Sequence, residues 1–137
     1  MKLCSACLLG IKCRYDGKSK PHKKIIELST KEQLIPVCPE ELGGESTPRE
    51  PREIKNGKVF TKSGVDVTEN MKNGALKTLA LTKKFDIKSA ILKSKSPSCG
   101  CGKIYDGNFS DTLIDGDGIT TKILKENGIE ILTENDL

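Results

Sequence analysis

Three turns rich in glycine or proline each present a cysteine, and each follows a short apolar run. They are residues 5–10 (SACLLG), 36–44 (PVCPEELGG) and 96–102 (SPSCGCG). Glycine and proline fix the turn that presents a side chain and let backbone approach a bulky group closely. The chain has 6 cysteines and 1 histidine, a donor set that suits iron–sulfur clusters or zinc. The sequence therefore indicates thiolate chemistry with a soft metal partner.

The length and the scarcity of aromatic residues predict one α/β domain that spans residues 1–137. A chain of 137 residues is long enough to bury about two-thirds of its unfolded surface in a single core. Aromatic residues make up 4% of the chain and tryptophan is absent, so the core must be aliphatic. An aliphatic core favours a buried parallel sheet over a β-sandwich.

Several classes of partner are disfavoured by the sequence. No apolar run approaches the roughly 20 residues that span a bilayer, and the first cysteine turn begins too early to leave room for a signal peptide. We therefore expect a cytoplasmic protein with reduced thiols rather than a disulfide framework. The net charge is only +4. The densest basic run, residues 18–24, is typical of a solvated helix edge, and no interleaved aromatic residues indicate a nucleic-acid site.

Strands and helices alternate in the predicted order, which implies a short parallel sheet flanked by helices. Thr68 is the predicted cap of the strongest helix. The long loop at 43–64 is expected to contain one hairpin across Asn56-Gly57. The predicted strands are 2–5, 34–37, 89–92 and 129–132, the hairpin strands are 53–55 and 58–61, and the predicted helices are 22–31, 68–80 and 119–126.

Cys7, Cys38 and Cys99 each lie just past the carboxyl end of a predicted strand. Ligand sites of open parallel sheets form in the crevice at those ends. Three cysteines that are distant in sequence are therefore expected to converge on one point.

The cysteine pattern alone leaves several kinds of site open. Three thiolates on a four-iron cluster would leave one iron free to act as a Lewis acid. Four thiolates would instead favour an electron-transfer or a structural role. Cys4 and Cys7 with Cys99 and Cys101 could instead hold zinc, although the one-residue gap of the second pair is tight. A redox disulfide between Cys4 and Cys7 would leave Cys38 and Cys99 unexplained.

Six segments resemble, in order, the signature blocks of the TudS-type thiouracil desulfidases. The resemblance extends to residues 127–129 (NGI) and so covers essentially the whole chain. The blocks are 5–10 (SACLLG), 14–17 (RYDG), 36–40 (PVCPE), 47–49 (TPR), 96–100 (SPSCG) and 105–107 (YDG).

This resemblance implies a [4Fe-4S] cluster held by Cys7, Cys38 and Cys99 only. It also implies a non-redox reaction that removes sulfur from a thiolated pyrimidine, of the 4-thiouracil or 4-thiouridine monophosphate class, and releases hydrosulfide and the oxo base. Glu40 and Ser96 occupy the positions of the catalytic glutamate and serine. The remaining cysteines lie outside the core blocks, which leaves open whether one of them closes the fourth coordination position: Cys4, Cys13 and Cys101.

The chemistry of sulfur removal gives Glu40 a role beside the ligands. A thiocarbonyl sulfur is soft and suits an open iron, but water is a poor nucleophile at neutral pH and needs a general base. Glu40 lies two residues after Cys38, close enough to serve as that base. The alternative to a catalytic role is that Glu40, as part of the pair Glu40-Glu41, is an ordinary carboxylate at the start of a helix.

The remaining candidates are hydroxyls and guanidinium groups. Ser96 could orient the attacking water and Ser98 could contact substrate, although serines beside proline commonly form turns. Arg14, Arg49 and Arg52 match an anionic group such as phosphate, or are solvated loop charges. The competing functional class is a non-enzymatic zinc or iron–sulfur module with a structural or redox-sensing role.

Overall fold

The structure is a computed structural model that describes residues 1–137. It contains eight strands, four α-helices and two short 3-10 turns, at Ala6–Leu9 and Glu134–Asp136. The strands are β1 Lys2–Ser5, β2 Leu34–Val37, β3 Arg52–Lys55, β4 Lys58–Thr61, β5 Ser89–Leu92, β6 Lys103–Tyr105, β7 Leu113–Asp115 and β8 Glu130–Thr133. The helices are α1 Lys23–Ser29, α2 Pro39–Leu42, α3 Thr68–Lys84 and α4 Ile119–Glu126.

Four parallel strands form the central sheet in the order β2-β1-β5-β8. Two antiparallel hairpins, β3-β4 and β6-β7, lie outside it. The chain adds β2 on one side of β1 and then β5 on the other side, so the direction in which strands are added changes at β1. A crevice is therefore expected at the carboxyl ends of these strands. The predicted α/β class with a mainly parallel sheet is confirmed. None of the helices is long and apolar enough to cross a membrane.

The sheet separates two aliphatic clusters, because successive strand residues point to opposite faces. In β1, Leu3 joins the cluster that α3 and α4 cover, and Cys4 joins the cluster that α1 covers. The first cluster contains Leu3, Val37, Leu79, Ile87, Ala90, Leu92, Cys99, Leu124 and Ile129. The second contains Cys4, Ala6, Cys7, Leu8, Cys13, Ile25 and Ile91.

Several predicted elements differ from the structure in their bounds or were missed. The helix predicted at 22–31 is shorter, and the last strand lies one residue later. Helix α2 was not predicted because four residues are too few for a helical pattern, and the β6-β7 hairpin was not predicted either. Thr68 does not cap α3: its Oγ1 accepts the Val59 N–H at 2.9 Å, while Asp66 Oδ1 accepts the Thr68 N–H at 2.9 Å.

Two glycines allow α2 to rest directly on the backbone of α3. A Cβ atom added to Gly43 would lie 2.0 Å from the Asn70 carbonyl oxygen, and one added to Gly74 would lie 1.9 Å from the Pro39 carbonyl oxygen. No real Cβ contact is so short, so a side chain at either position would force the backbones apart. This contact fixes α2, and with it Glu40, relative to the sheet.

We expect Gly74→Ala to lower the free energy of unfolding by about 2 kcal/mol. In a helix interior, alanine is more favourable than glycine by about 1 kcal/mol. Overpacking, however, costs about 1–3 kcal/mol, and here the obstructing atom belongs to the backbone and cannot move aside easily. Urea unfolding of both proteins measures the difference. Asn73→Ala, at an exposed position of the same helix, is the control. Equal stability of the Gly74→Ala and wild-type proteins would show that the close approach is not required.

Candidate active site

A cavity of about 430 Å³ opens at the carboxyl ends of β1, β2 and β5. This volume lies within the roughly 300–1,000 Å³ typical of small-molecule sites. Four cysteines line it, together with acidic, basic and hydroxyl side chains. The lining includes Cys7, Cys13, Cys38, Cys99, Glu40, Ser96, Ser98, Arg14, Lys20, Arg49, Arg52, Lys93 and Lys95.

Each of the three predicted ligand positions is set by a turn that immediately follows a strand. Cys7 lies in the 3-10 turn after β1, which ends at Gly10 with φ of 95°, a conformation that favours glycine. Cys38 is the residue before α2. Cys99 lies after β5 in a turn closed by the Gly100 N–H to Ser96 carbonyl bond of 2.8 Å. The structure brings these three cysteines to one cavity.

Cys13 is a fourth cysteine at the same cavity. Its sulfur atom, the Cys38 sulfur and a carboxylate oxygen of Glu41 lie within 4.8 Å of one another. Cys13 lies outside the six sequence blocks, and its six-residue spacing from Cys7 was the only local signal for its place at the cavity. Cys4 and Cys101 do not line the cavity, so the zinc set of Cys4 and Cys7 with Cys99 and Cys101 is not assembled.

The thiols lie in surroundings that disfavour free thiolates. Burial raises the pKa of Cys99 to about 12, and the adjacent Cys13 thiol together with burial raises the pKa of Cys38 well above its usual value. Such thiols remain protonated at neutral pH unless a cation supplies positive charge, and a coordinated metal deprotonates them outright. The donor set therefore suits a soft metal better than it suits a free nucleophilic cysteine.

Glu40 and Arg49 form a buried ion pair on the cavity wall. The Arg49 Nε lies 2.6 Å from Glu40 Oε2, with side chains only 6% and 10% exposed. The Arg49 Nη groups donate to the carbonyl oxygens of Ser46 at 3.2 Å and Cys13 at 3.0 Å, and to Thr47 Oγ1 at 2.9 Å. Burial opposes the charge on Arg49, but Glu40 outweighs it and raises the pKa of Arg49. Arg49 therefore remains charged, with four of its five N–H donors used by protein acceptors.

The two serines of the turn before Cys99 have different partners. Ser96 Oγ accepts the N–H groups of Ser98 at 3.1 Å and Cys99 at 3.0 Å, which leaves the Ser96 hydroxyl proton free to donate. Ser98 is buried, and its Oγ lies 2.8 Å from Thr120 Oγ1 on α4. Ser96 therefore shapes the turn and can still present a donor, whereas Ser98 anchors the turn to α4.

The basic residues on the cavity wall differ in how free they are to bind an anion. Arg14 lies 3.8 Å from Asp16, and Arg52 is buried against Glu45. Lys93 lies 2.9 Å from Glu134. Lys20 and Lys95 line the cavity without an ion-pair partner. Neither lysine was predicted from the sequence, because nothing local distinguishes them from surface charges.

Comparison with known proteins gives concordant matches over nearly the whole chain. The 2-thiouracil desulfurase family model matches residues 3–136. YbbK of Bacillus subtilis strain 168, an uncharacterized protein, is 46% identical over 147 residues, which cover 100% of this chain and 97% of YbbK. A solved structure of the [4Fe-4S]-dependent thiouracil desulfidase TudS superposes with a TM-score of 0.94 and 41% identity, over 99% of this chain and 91% of TudS.

The resemblance inferred from the six sequence blocks is thus confirmed by a match that includes every cysteine turn. The sheet order belongs to a fold that TudS shares. This chain is therefore a member of the 2-thiouracil desulfurase family.

Proposed function

We propose that this protein is a [4Fe-4S]-dependent desulfidase. It replaces the sulfur of a thiolated pyrimidine, of the 4-thiouracil or 4-thiouridine monophosphate class, by oxygen from water. The products are the oxo base and hydrosulfide, and no electron is gained or lost. The observation that carries this proposal is the meeting of Cys7, Cys38 and Cys99 with Glu40 at one cavity, in a chain that is 41% identical to TudS.

The residues at the cavity fit such a cluster. Cys7, Cys38 and Cys99 would hold it, since each lies at the cavity after a different strand, with Cys7 and Cys99 buried and Cys38 partly buried. Thiolates are the usual ligands of iron–sulfur clusters. When bound, the cluster supplies an iron that polarises the thiocarbonyl sulfur as a Lewis acid. The protein contributes the cavity, the base and the positioning of water.

Glu40 is the general base in this proposal. Its Oε2 accepts the Arg49 Nε–H at 2.6 Å, and its Oε1 is left without a protein donor. The attacking water transfers its proton to Oε1 as its oxygen bonds to the ring carbon. The Ser96 hydroxyl donates a hydrogen bond to the same water and so orients it. Arg49 holds Glu40 in place at the cavity through this bond.

If the substrate carries an anionic group, the residues best placed to bind it are Arg14, Lys20 and Lys95. Arg49, a candidate from the sequence, already donates to protein acceptors, so we assign it a positioning role. Ser98 likewise acts through the turn that carries Cys99. A guanidinium and two unpaired ammonium groups that line one cavity match the charge of a nucleoside monophosphate.

The second candidate function is a non-enzymatic zinc module. It is favoured by the grouping of Cys13, Cys38 and Glu41 within 4.8 Å, because two thiolates and a carboxylate can bind zinc. A structural zinc site is closed by four protein ligands. The open cavity and the positions of Cys7 and Cys99 are then unexplained, so the desulfidase is the better account.

Replacing Cys7, Cys38 or Cys99 by serine is expected to abolish the visible absorbance of the cluster, because each supplies one of the required thiolates. Iron and acid-labile sulfide are measured on anaerobically reconstituted protein. Cys4→Ser and Cys101→Ser are the matched controls and should keep most of the iron, since neither residue reaches the cavity. Full iron retention in Cys38→Ser would refute this ligand set.

Glu40→Gln is expected to slow sulfide release by on the order of 10²–10⁴, the usual contribution of a general base. The amide still pairs with Arg49 but takes no proton. Single-turnover release from 4-thiouridine monophosphate is measured on samples matched in cluster content and thermal stability. Glu41→Gln is the control, because Glu41 is exposed and does not line the cavity. A rate near that of the wild type would remove Glu40 from the mechanism.

A further inference from the structure

The cavity has a floor of buried lining residues and a mouth of exposed ones. The groups proposed for the chemical step lie at or near the floor, whereas the charged side chains of the mouth take no part in it. A pyrimidine ring that reaches the floor must therefore direct any large substituent on the ring towards the mouth. The floor includes Cys7, Glu40, Ser98 and Cys99, and the mouth includes Tyr15, Lys20, Lys95 and Asp111.

Asp111 carries the one carboxylate of the cavity lining that no protein group binds. Three acidic residues line the cavity, namely Glu40, Glu53 and Asp111. Glu40 Oε2 accepts the Arg49 Nε–H at 2.6 Å, and Glu53 Oε1 accepts the Gly107 N–H at 3.0 Å. Asp111 makes no hydrogen bond or ion pair through its side chain. Both of its carboxylate oxygens are therefore available to a ligand at the mouth.

The loop that carries Asp111, residues 106–112 between β6 and β7, is ordered without help from this side chain. Lys55 Nζ on β3 donates to Asn108 Oδ1 at 2.7 Å. The Asp106 N–H donates to the Thr112 carbonyl oxygen at 2.9 Å and closes the loop. Asp111 itself has a φ of 57°, in the left-handed region that aspartate tolerates better than most residues. The loop thus presents the Asp111 carboxylate but does not depend on it.

The charges at the mouth favour a ligand that offers both an anionic group and hydroxyl donors. Lys20 and Lys95 have no ion-pair partner and suit a phosphate, but the Asp111 carboxylate repels one. An ionised carboxylate only accepts hydrogen bonds, so its natural partners are O–H and N–H groups. A ribonucleotide carries phosphate oxygens for the lysines and ribose hydroxyls for the carboxylate. Acidic side chains bind ribose hydroxyls in this way at dinucleotide sites.

We propose that Asp111 binds the ribose hydroxyls of a 4-thiouridine monophosphate and makes the protein selective for the ribonucleotide. The 2′- and 3′-hydroxyls each donate to one carboxylate oxygen. This assignment rests on the proposed desulfidase function. A hydrogen bond to a charged group contributes enough free energy to change affinity by roughly 10- to 100-fold. The protein should therefore discriminate against the 2′-deoxy nucleotide by about this factor in kcat/KM.

The test compares sulfide release from 4-thiouridine monophosphate and from its 2′-deoxy counterpart, on samples matched in cluster content. The measured quantity is the ratio of kcat/KM for the two nucleotides. Asp111→Gly removes the carboxylate, and glycine adopts a positive φ without strain. We expect it to bring the ratio close to one, mainly by raising KM for the ribonucleotide. Asp111→Asn keeps one acceptor without the charge and should give an intermediate ratio.

Asp86→Gly is the matched control. Asp86 is also an exposed aspartate with a positive φ, of 51°, but it follows α3 and does not line the cavity. Its replacement by glycine should leave the ratio at the wild-type value. A loop that was merely distorted by the change at Asp111 would slow the release from both nucleotides and leave their ratio unchanged.

Three results would overturn the assignment. They are equal use of the two nucleotides by the wild type, a wild-type ratio in Asp111→Gly, and a lower KM for the ribonucleotide in that variant, which would mean that the carboxylate only repels phosphate. If Asp111→Gly does not fold, the ratio in Asp111→Asn decides in its place. Failure of the proposed function is distinguishable from all of these, because the wild type would then release no sulfide from either nucleotide or from 4-thiouracil.

Discussion

The parallel pairing of β1 with both β2 and β5 is the constraint on which the candidate site depends. The register aligns Leu3 with both Ile35 and Ala90, so the three strands end at the same edge of the sheet. Each strand continues directly into a turn that presents a cysteine. Because parallel strands share one carboxyl edge, thiols separated by up to ninety-two positions in sequence, from Cys7 to Cys99, meet at one cavity.

A buried ion pair then connects the backbone of Cys13, at the cavity wall, to the proposed base. Arg49 binds Glu40 through Nε and the Cys13 carbonyl oxygen through Nη2. Removing one partner of such a pair costs about 3–5 kcal/mol, because the remaining charge is left buried. The same guanidinium therefore stabilises the wall, orients the carboxylate and holds the backbone of Cys13. A change at Arg49 is expected to affect all three together.

The sequence was sufficient where local pattern and topology agree. The bounds of β1, β2, β4, β5 and α4 follow from apolar runs that end in turns, and the convergence of the three cysteine turns follows from parallel pairing. The position of Cys13 at the cavity could not be predicted in this way, since it depends on a contact with Arg49 across 36 positions. The pairing of Arg49 with Glu40 has no helical or strand spacing to reveal it. Helix α2 depends on Gly43 and Gly74, whose close approach appears only in three dimensions.

The central claim, that the cysteine cavity holds a [4Fe-4S] cluster, is tested most directly by metal analysis. Protein purified under strict exclusion of oxygen is assayed for iron, acid-labile sulfide and zinc, with the Cys38→Ser protein in parallel. The account predicts about four irons and four sulfides per wild-type chain and a small fraction of that in the variant. About one zinc per chain without sulfide would contradict it and would establish the zinc module instead.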